Sequence, residues 1–547
     1  MSCTPLALSG AAAIFIAHAA SAQSYVLSGP SSSDTPYVVA FPASTAVTDI
    51  ISILTVGDSI DGYQFLGLPD GMGAFPAAKG TMSLFIDHEF TATASGVQHA
   101  HQPDGFAGGA FISGWNITTD LGDDFLRVNS GSDSILSSAA ISNGSGGSLY
   151  NFARFCSGDI ADTTAYLNTA SGLGTPNRFF VCGEESGNTG RMMATDLNTG
   201  VAHQMTAFDA SMGAWENGLG RPLESDTTVM IGLSDGGANR VFLYVGTKQA
   251  TGTPAEQAGL MNGLSYGIQV QVRGANVAIE TREFGLGAGT PIFSGTFVLA
   301  AGGTASGTTF LRPEDGAWDP ANPADFYFVT TDRMSTTSGG VPQSHASRLY
   351  RLRFNDVNDV LAGGTIEALL DGTDVMEMGD NLCVFTDLQG GTRVLVQEDS
   401  GNHPHSAKTL LYTVTNDSLE VILKSDPSRF GDIGIPATSP FNQDEENSGV
   451  FDARETLGLG WFVGNLQAHY ALAAPLVEGG QLYAFFAPEA VGSSRSDLST
   501  PLDGTVDGAD LGELLQGWGT SGRSDINRDG VTDGADLGIL LSNWTAR

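Results

Sequence analysis

The chain has 547 residues, enough for a large core and more than one domain. Asp and Glu total 60 against 24 Lys and Arg, a net charge of −36. That balance argues against nucleic acid or anionic lipid as partners, and it suits solubility or surroundings rich in divalent cations.

From the N-terminus, Leu6 to Ala20 is mostly small and apolar and runs into Ala20-Ser21-Ala22, a small-x-small site. An export signal over residues 1–22, cleaved before Gln23, is expected. Its start lacks Lys and Arg, and no twin-arginine pair is present. No later run is long and apolar enough to span a bilayer, so the expected mature protein is soluble and secreted, periplasmic or held at the cell surface. Cys3 would leave with the signal, and Cys156, Cys182 and Cys383 remain. An odd number leaves at least one without an internal partner; whether Cys182 and Cys383 pair or are buried singly stays open.

Residues 23–490 show no long amphipathic helix. Runs such as Met82–Ile86, Phe179–Cys182, Val229–Leu233, Val241–Val245, Phe326–Thr330, Arg393–Gln397 and Leu482–Phe486 are short, rich in Val, Phe, Tyr or Leu, and punctuated by Gly, Asn, Asp or Ser. They predict a mainly β fold of antiparallel sheet, a propeller or a sandwich, with no blade repeat visible to choose between them. Ala487–Ser496 reads as a linker stretch, which puts the linker proper at 491–496 and a C-terminal module at 497–547.

Acidic motifs recur through residues 80–470. They are Asp87-His88-Glu89; Arg154-Phe155-Cys156-Ser157-Gly158-Asp159; Thr175-Pro176 leading to Cys182-Gly183-Glu184-Glu185; and Trp215-Glu216-Asn217. Arg312-Pro313-Glu314-Asp315, Gly379-Asp380-Asn381, a strand ending in Glu398-Asp399, and Glu445-Glu446-Asn447 follow. On a strand, residues two apart share a face, so Arg312 and Glu314 would project together, a guanidinium for an anion beside a carboxylate for a metal. Pro313 has no NH, so its strand is an edge or lines a channel. Taken singly, each motif also reads as a structural ion pair or a solvated turn.

Taken in order, these motifs resemble the PhoX-type alkaline phosphatases. The resemblance implies a six-bladed β-propeller with an iron–calcium cluster near its channel, acting on phosphate esters. It implies Cys156 as a thiolate between irons, Glu216 and Glu314 as ligands, and Arg312 as the residue that binds the substrate phosphate. Glu184, Glu185, Asp380 and Asp399 follow as calcium ligands or supports. The chain departs from the family in lacking twin arginines, in Asn177-Arg178 after Thr-Pro, in Trp215 before Glu216, and in Gly379 before Asp380.

The tail carries a duplication. Val506–Gly512 matches Thr532–Gly538 at a spacing of 26 residues, and Trp518 matches Trp544. In the second loop Asp525, Asn527, Asp529, Asp533 and Asp536 put oxygens at positions 1, 3, 5, 9 and 12, with Gly530 at 6 and the Val531 carbonyl at 7. That spacing wraps a hard cation such as calcium. The first copy offers Asp497, Ser499, Asp503, Asp507 and Asp510, with two extra residues within Thr500-Pro501 before Asp503. The pair resembles a type I dockerin, which implies two calcium loops, each followed by a helix, and docking onto a cohesin-bearing protein. Two readings besides a secreted metal-dependent phosphatase remain: a non-catalytic calcium-binding propeller held through its tail, and a propeller hydrolase of another class.

Overall fold

The computed structural model describes residues 25–91, 108–120, 122, 124–135, 140–142, 152–300, 306–332, 337–338, 341–342, 347–399, 401, 405–527 and 529–545. The expected export signal and Cys3 lie outside them. Among the described residues no helix is long and apolar enough to cross a membrane.

The fold is mainly β and propeller-like. Among the described residues four blade-like sheets are present, antiparallel except for the outermost strands Tyr25–Ser28 and Ile141–Ser142, which add in parallel to two of them. The first begins at Pro69–Pro76, the second at Phe155–Asp159, a third at Gly379–Thr386 and a fourth at Glu445–Asp452. Between the second and third lies a ten-stranded sheet running from Trp215–Gly220 to Pro313–Trp318. Its two end strands return to lie beside one another, so it closes almost into a barrel. The innermost strands form a ring. Pro69–Pro76 lies against Phe155–Asp159, then Trp215–Gly220, Pro313–Trp318, Gly379–Thr386 and Glu445–Asp452 follow, and the last lies against the first. The chain ends close the structure: Val38–Ala40 pairs with Ser418–Ser425, and Asp49–Thr55 pairs with Glu478–Phe486.

Sheets stacked on both faces explain why the strand runs lack polar alternation. Phe179–Glu184 is buried at all six positions and Asp325–Thr330 likewise. The ring is tight: a Cβ on Gly71 would lie 1.8 Å from the Gly158 amide nitrogen, so only glycine lets these two inner strands approach. Pro313 opens the end strand of the ten-stranded sheet, an edge that faces the inner ring. Cys156, Cys182 and Cys383 are all free thiols, so Cys182 and Cys383 do not pair.

The stretch expected as a linker is packed down. Pro488–Val491 is a short 3-10 turn with Pro488, Ala490 and Val491 buried, and Ser496 and Asp497 are also buried. In the tail, helices Gly508–Gln516 and Gly534–Ser542 each start from a capping box, Asp507 with Asp510 and Asp533 with Asp536. The two acidic loops share one hydrogen-bond scheme. Asp525 accepts from the Gly530 NH and Asp536 from the Asn527 NH, at 2.8 and 2.9 Å. Asp497 accepts from the Gly504 NH and Asp510 from the Ser499 NH, both at 2.9 Å. Gly504 therefore takes the role of Gly530, and the extra residues are absorbed between Ser499 and Asp503. They lead into Leu502, which is buried in the same core cluster as Trp461 and Phe486.

Candidate metal centre

Each inner strand is built alike at its start. The pairing with the second strand slips by one residue between Pro69 and Met72, Phe155 and Gly158, Trp215 and Gly218, Pro313 and Gly316, Gly379 and Leu382, and Glu446 and Gly449. A one-residue bulge re-aims the side chains it contains. Five of the bulges contain an acid or thiol at their first position: Asp70, Cys156, Glu216, Glu314 and Asp380; the sixth contains Asn447. The residue before each of the first five strands is left-handed: Leu68, Arg154, Ala214, Arg312 and Met378 have φ between 50° and 59°. Each of their carbonyls accepts an NH from the residue just after the second strand. These donors are Glu89, Glu185, Asp235, Thr331 and Asp399, at 2.8–3.1 Å. Every hairpin thus delivers a bulge residue and a strand-end residue to one end of the ring.

The outcome is a row of four overlapping groups whose candidate ligand atoms lie within 4.8 Å of one another. Asp70, Glu89 and Cys156 form the first, Cys156, Glu185 and Glu216 the second, Glu216, Glu314 and Asp380 the third, and Asp380, Asp399 and Glu446 the fourth. Cys156, Glu216 and Asp380 each belong to two groups. The sequence-predicted residues Cys156, Glu185, Glu216, Glu314, Asp380 and Asp399 are therefore brought together. Glu184 is not: its carboxylate clamps Arg191 and accepts the Ala153 NH at 2.9 Å. Asp70, Glu89, Asp235 and Glu446 were not singled out as site residues. One signal was available, since the strand-end acid follows the bulge acid by 19 residues in three hairpins (70 to 89, 216 to 235, 380 to 399).

Charge in the row is poorly balanced by protein alone. Burial, then the neighbouring carboxylates, hold Asp70, Glu216 and Asp380 well above the usual carboxylate range. Burial raises Glu314 and Asp399 likewise, with Arg312 opposing in both. Glu185 is pushed up to about 7 by burial, against the pull of Arg154. Burial and then Glu185 and Glu89 raise the Cys156 thiol, whose Sγ lies 2.9 Å from Glu185. The nearby cations are few. Arg154 pairs with Glu89 at 2.6 Å and with Glu185; Arg312 forks onto Asp235 and lies 3.0 Å from Glu314. His469 is drawn upward: burial opposes protonation, but Glu446 and Glu478 override it.

The donor set fits cations. Oxygen donors crowd at separations that coordination spheres require, and the one thiol joins the first two groups of the row. Buried polar atoms there lack hydrogen-bond partners among the described residues, including Asp70 Oδ1 and both amide atoms of Asn447. Next to the row a polar belt links three inner strands. Asn217 Nδ2 donates to Ser157 Oγ at 3.0 Å and to Asp315 Oδ1 at 2.7 Å. Burial pushes Asp315 up to about 7. The belt residues Ser157, Asn217 and Asp315 line a cavity of about 290 Å³ together with Met72, Leu219 and Trp318.

No protein-family profile and no curated protein sequence matches the chain. Solved structures resemble it. An α-L-arabinanase of Penicillium chrysogenum with arabinobiose is similar over 77% of this chain and 94% of that one, at 7% identity and a TM-score of 0.39. An α-L-arabinofuranosidase of Podospora anserina with cellotriose is similar over 85% and 97%, at 8% identity and a TM-score of 0.32. The PhoX of Pseudomonas fluorescens, in complex with the transition state analogue vanadate, is similar over 78% of this chain and 90% of that chain, at 11% identity and a TM-score of 0.51, a likeness that shows a common propeller fold.

Proposed function

We propose that the protein is a metal-dependent phosphatase built on a six-bladed β-propeller. The blade count is supported by the closed ring of six inner strands, with the ten-stranded sheet read as two blades joined at their outer strands. The observation that carries the function is the row of overlapping carboxylate groups with a thiol joining its first two groups and the Arg312 guanidinium beside it. Calcium suits the all-carboxylate groups at Glu216, Glu314, Asp380, Asp399 and Glu446, and iron suits the groups containing Cys156. Such cations, when bound, offset charge on a phosphoryl group and bring forward an oxygen nucleophile. The chain's own residues hold and orient them: bulges aim the ligands, the left-handed carbonyls fix the strand-end acids, and Arg312 presents donors to the phosphoryl oxygens.

The tail reading goes with it. Duplicated loops with a common hydrogen-bond scheme support calcium at Asp525–Asp536 and at Asp497–Asp510. The exposed, repeat-related pairs Leu515 with Leu541 and Trp518 with Trp544 support docking onto a cohesin-type partner outside the cell. The second reading, a non-catalytic calcium-binding propeller, draws on Glu184, which is committed to Arg191 instead of the row. Full-length protein loaded with calcium and iron is expected to hydrolyse p-nitrophenyl phosphate. Turnover no greater than that of Cys156→Ala would remove the phosphatase reading, and metal analysis of the native protein would identify the ions.

A further inference from the structure

Arg312 has a counterpart in the fold. Arg154 stands two residues before the bulge residue Cys156, as Arg312 stands two before Glu314. Both are left-handed, at φ 50° and 59°. Both carbonyls accept the NH of the residue that ends the same hairpin's second strand turn, Glu185 at 2.8 Å and Thr331 at 3.0 Å. Both guanidiniums also reach the strand-end acid of the hairpin before their own, Glu89 for Arg154 and Asp235 for Arg312. The remaining three left-handed positions hold Leu68, Ala214 and Met378, so charge is confined to two of the five.

A bulky side chain in this region is strained by roughly 1–2 kcal/mol, which glycine would avoid. Keeping arginine at two such positions is best explained by what the side chain does. Neither is a closed structural ion pair. The contacts of Arg154 with Glu89, Glu185 and Cys156 all run through Nη2, and its side chain is 44% exposed. Arg312 uses Nε and Nη2 and is 27% exposed. Each guanidinium has five donors, so each retains NH groups for an incoming anion. The two flank Glu216. Arg154 contacts Glu185, which shares a ligand group with Glu216 on one side, and Arg312 contacts Glu314, which shares one on the other.

We infer that Arg154 and Arg312 form a two-sided cradle for one phosphoryl group, with Arg154 as a second anion-binding residue that selects dianionic monoesters over monoanionic diesters. This rests on the phosphatase reading for its substrate class, though the anion contact does not need turnover. Two forks on one group reward the second negative charge, because charge-assisted bonds to each oxygen strengthen with it.

The test uses the full, calcium-loaded chain with inorganic phosphate as the probe, titrated by calorimetry. Arg154→Gln and Arg312→Gln should each weaken phosphate binding at least tenfold, and Arg154→Lys should fall between Gln and wild type. Arg127→Gln, at a surface pair with Asp124, should change nothing. Calcium stoichiometry should be the same in all of them. In parallel, the monoester-to-diester ratio of kcat/KM should fall at least tenfold in Arg154→Gln. Phosphate affinity within twofold of wild type in Arg154→Gln overturns the cradle, as does loss of bound calcium in that variant, which would make Arg154 a support for the ligands. If wild type binds phosphate with this arginine dependence yet hydrolyses no ester, the phosphatase reading fails and the cradle stands. If wild type turns over and Arg154→Gln matches it in affinity and selectivity, the cradle alone fails.

Discussion

Replacing Glu216 with glutamine should change sign in its effect on stability when calcium is added. Glu216 belongs to two of the four ligand groups, with partners within 4.8 Å. At 4.8 Å and an effective dielectric of 20, two ionised carboxylates repel by about 3.5 kcal/mol, which protonation relieves. In chelator at pH 8, Glu216→Gln removes a buried charge surrounded by Glu314, Asp380, Glu185 and Asp235, so it should raise the melting temperature or leave it unchanged. With calcium at a hundredfold its dissociation constant, each site adds about 2.7 kcal/mol to the wild type. Of the two groups that contain Glu216, the one with Glu314 and Asp380 is the calcium group, so the variant's deficit in calcium should reach about 2.7 kcal/mol. The assay is thermal unfolding of the full chain, variant and wild type, with and without calcium. Any stabilisation from the tail loops is common to both proteins and cancels. A variant destabilised to the same degree in chelator and in calcium would refute the assignment, since that is the behaviour of a residue that merely packs.

Three further outcomes follow from the geometry. Glu185 has a folded pKa of about 7, above its ordinary carboxylate value, and the other raised carboxylates lie on the same side. In chelator their contribution is intact at low pH and lost as pH rises through about 7, so stability should fall between pH 5 and 8. Calcium should flatten that fall, because binding displaces the protons, and a chelated protein equally stable at pH 5 and 8 would contradict the shifts. Buried Glu280 accepts from Arg348 at 2.5 Å, Tyr350 at 2.7 Å and the Leu311 NH at 2.8 Å, next to Arg312. Glu280→Ala should cost about 3–5 kcal/mol by stranding Arg348, and should also weaken phosphate binding by loosening the Arg312 turn. Leu502→Ala should cost about 2–3 kcal/mol in the unfolding of the full chain, whereas a loss under 0.5 kcal/mol would show the first loop is not anchored to the sheet that holds Phe486.

How far the sequence carried the reading depended on which scale held the signal. The mainly β class was legible because short Val- and Phe-rich runs between turn residues have few other solutions. The choice of propeller was not, because strands packed on both faces lose the polar alternation that would mark a repeat: Phe179–Glu184 and Asp325–Thr330 are buried throughout. Cys156, Glu216, Arg312 and Glu314 were legible through local motifs, since a bulge and the residue before it are neighbours in the chain. Asp70 and Glu446 lie in the same structural role, but their flanks, Pro69-Asp70-Gly71 and Glu445-Glu446-Asn447, lack a cysteine or arginine to draw notice. Of the adjacent pair Glu184 and Glu185, both expected as ligands or supports, the structure brings only Glu185 into the row. A strand alternates faces, so Glu185, after the strand end, reaches the row, while Glu184 within it turns toward Arg191.

The repeat is therefore conformational before it is chemical. Five left-handed residues of different chemistry, Leu68, Arg154, Ala214, Arg312 and Met378, adopt the same backbone, and the carbonyl of each accepts the same strand-end NH. None is glycine, so each is strained, together by roughly 5–10 kcal/mol. Such strain persists only where surrounding structure over-determines it. Here each turn is fixed from both sides by the ring of inner strands and by the strand-end hydrogen bond. The arrangement places nine side chains, drawn from hairpins up to 376 residues apart (70 to 446), on one short row. Substituting glycine at Ala214 would remove the strain there while freeing the turn. If the fold alone benefited from these turns, Ala214→Gly would be stabilising with calcium binding unchanged. If the strain serves to hold Glu216 and Asp235 in position, the same variant should gain thermal stability in chelator and lose calcium affinity.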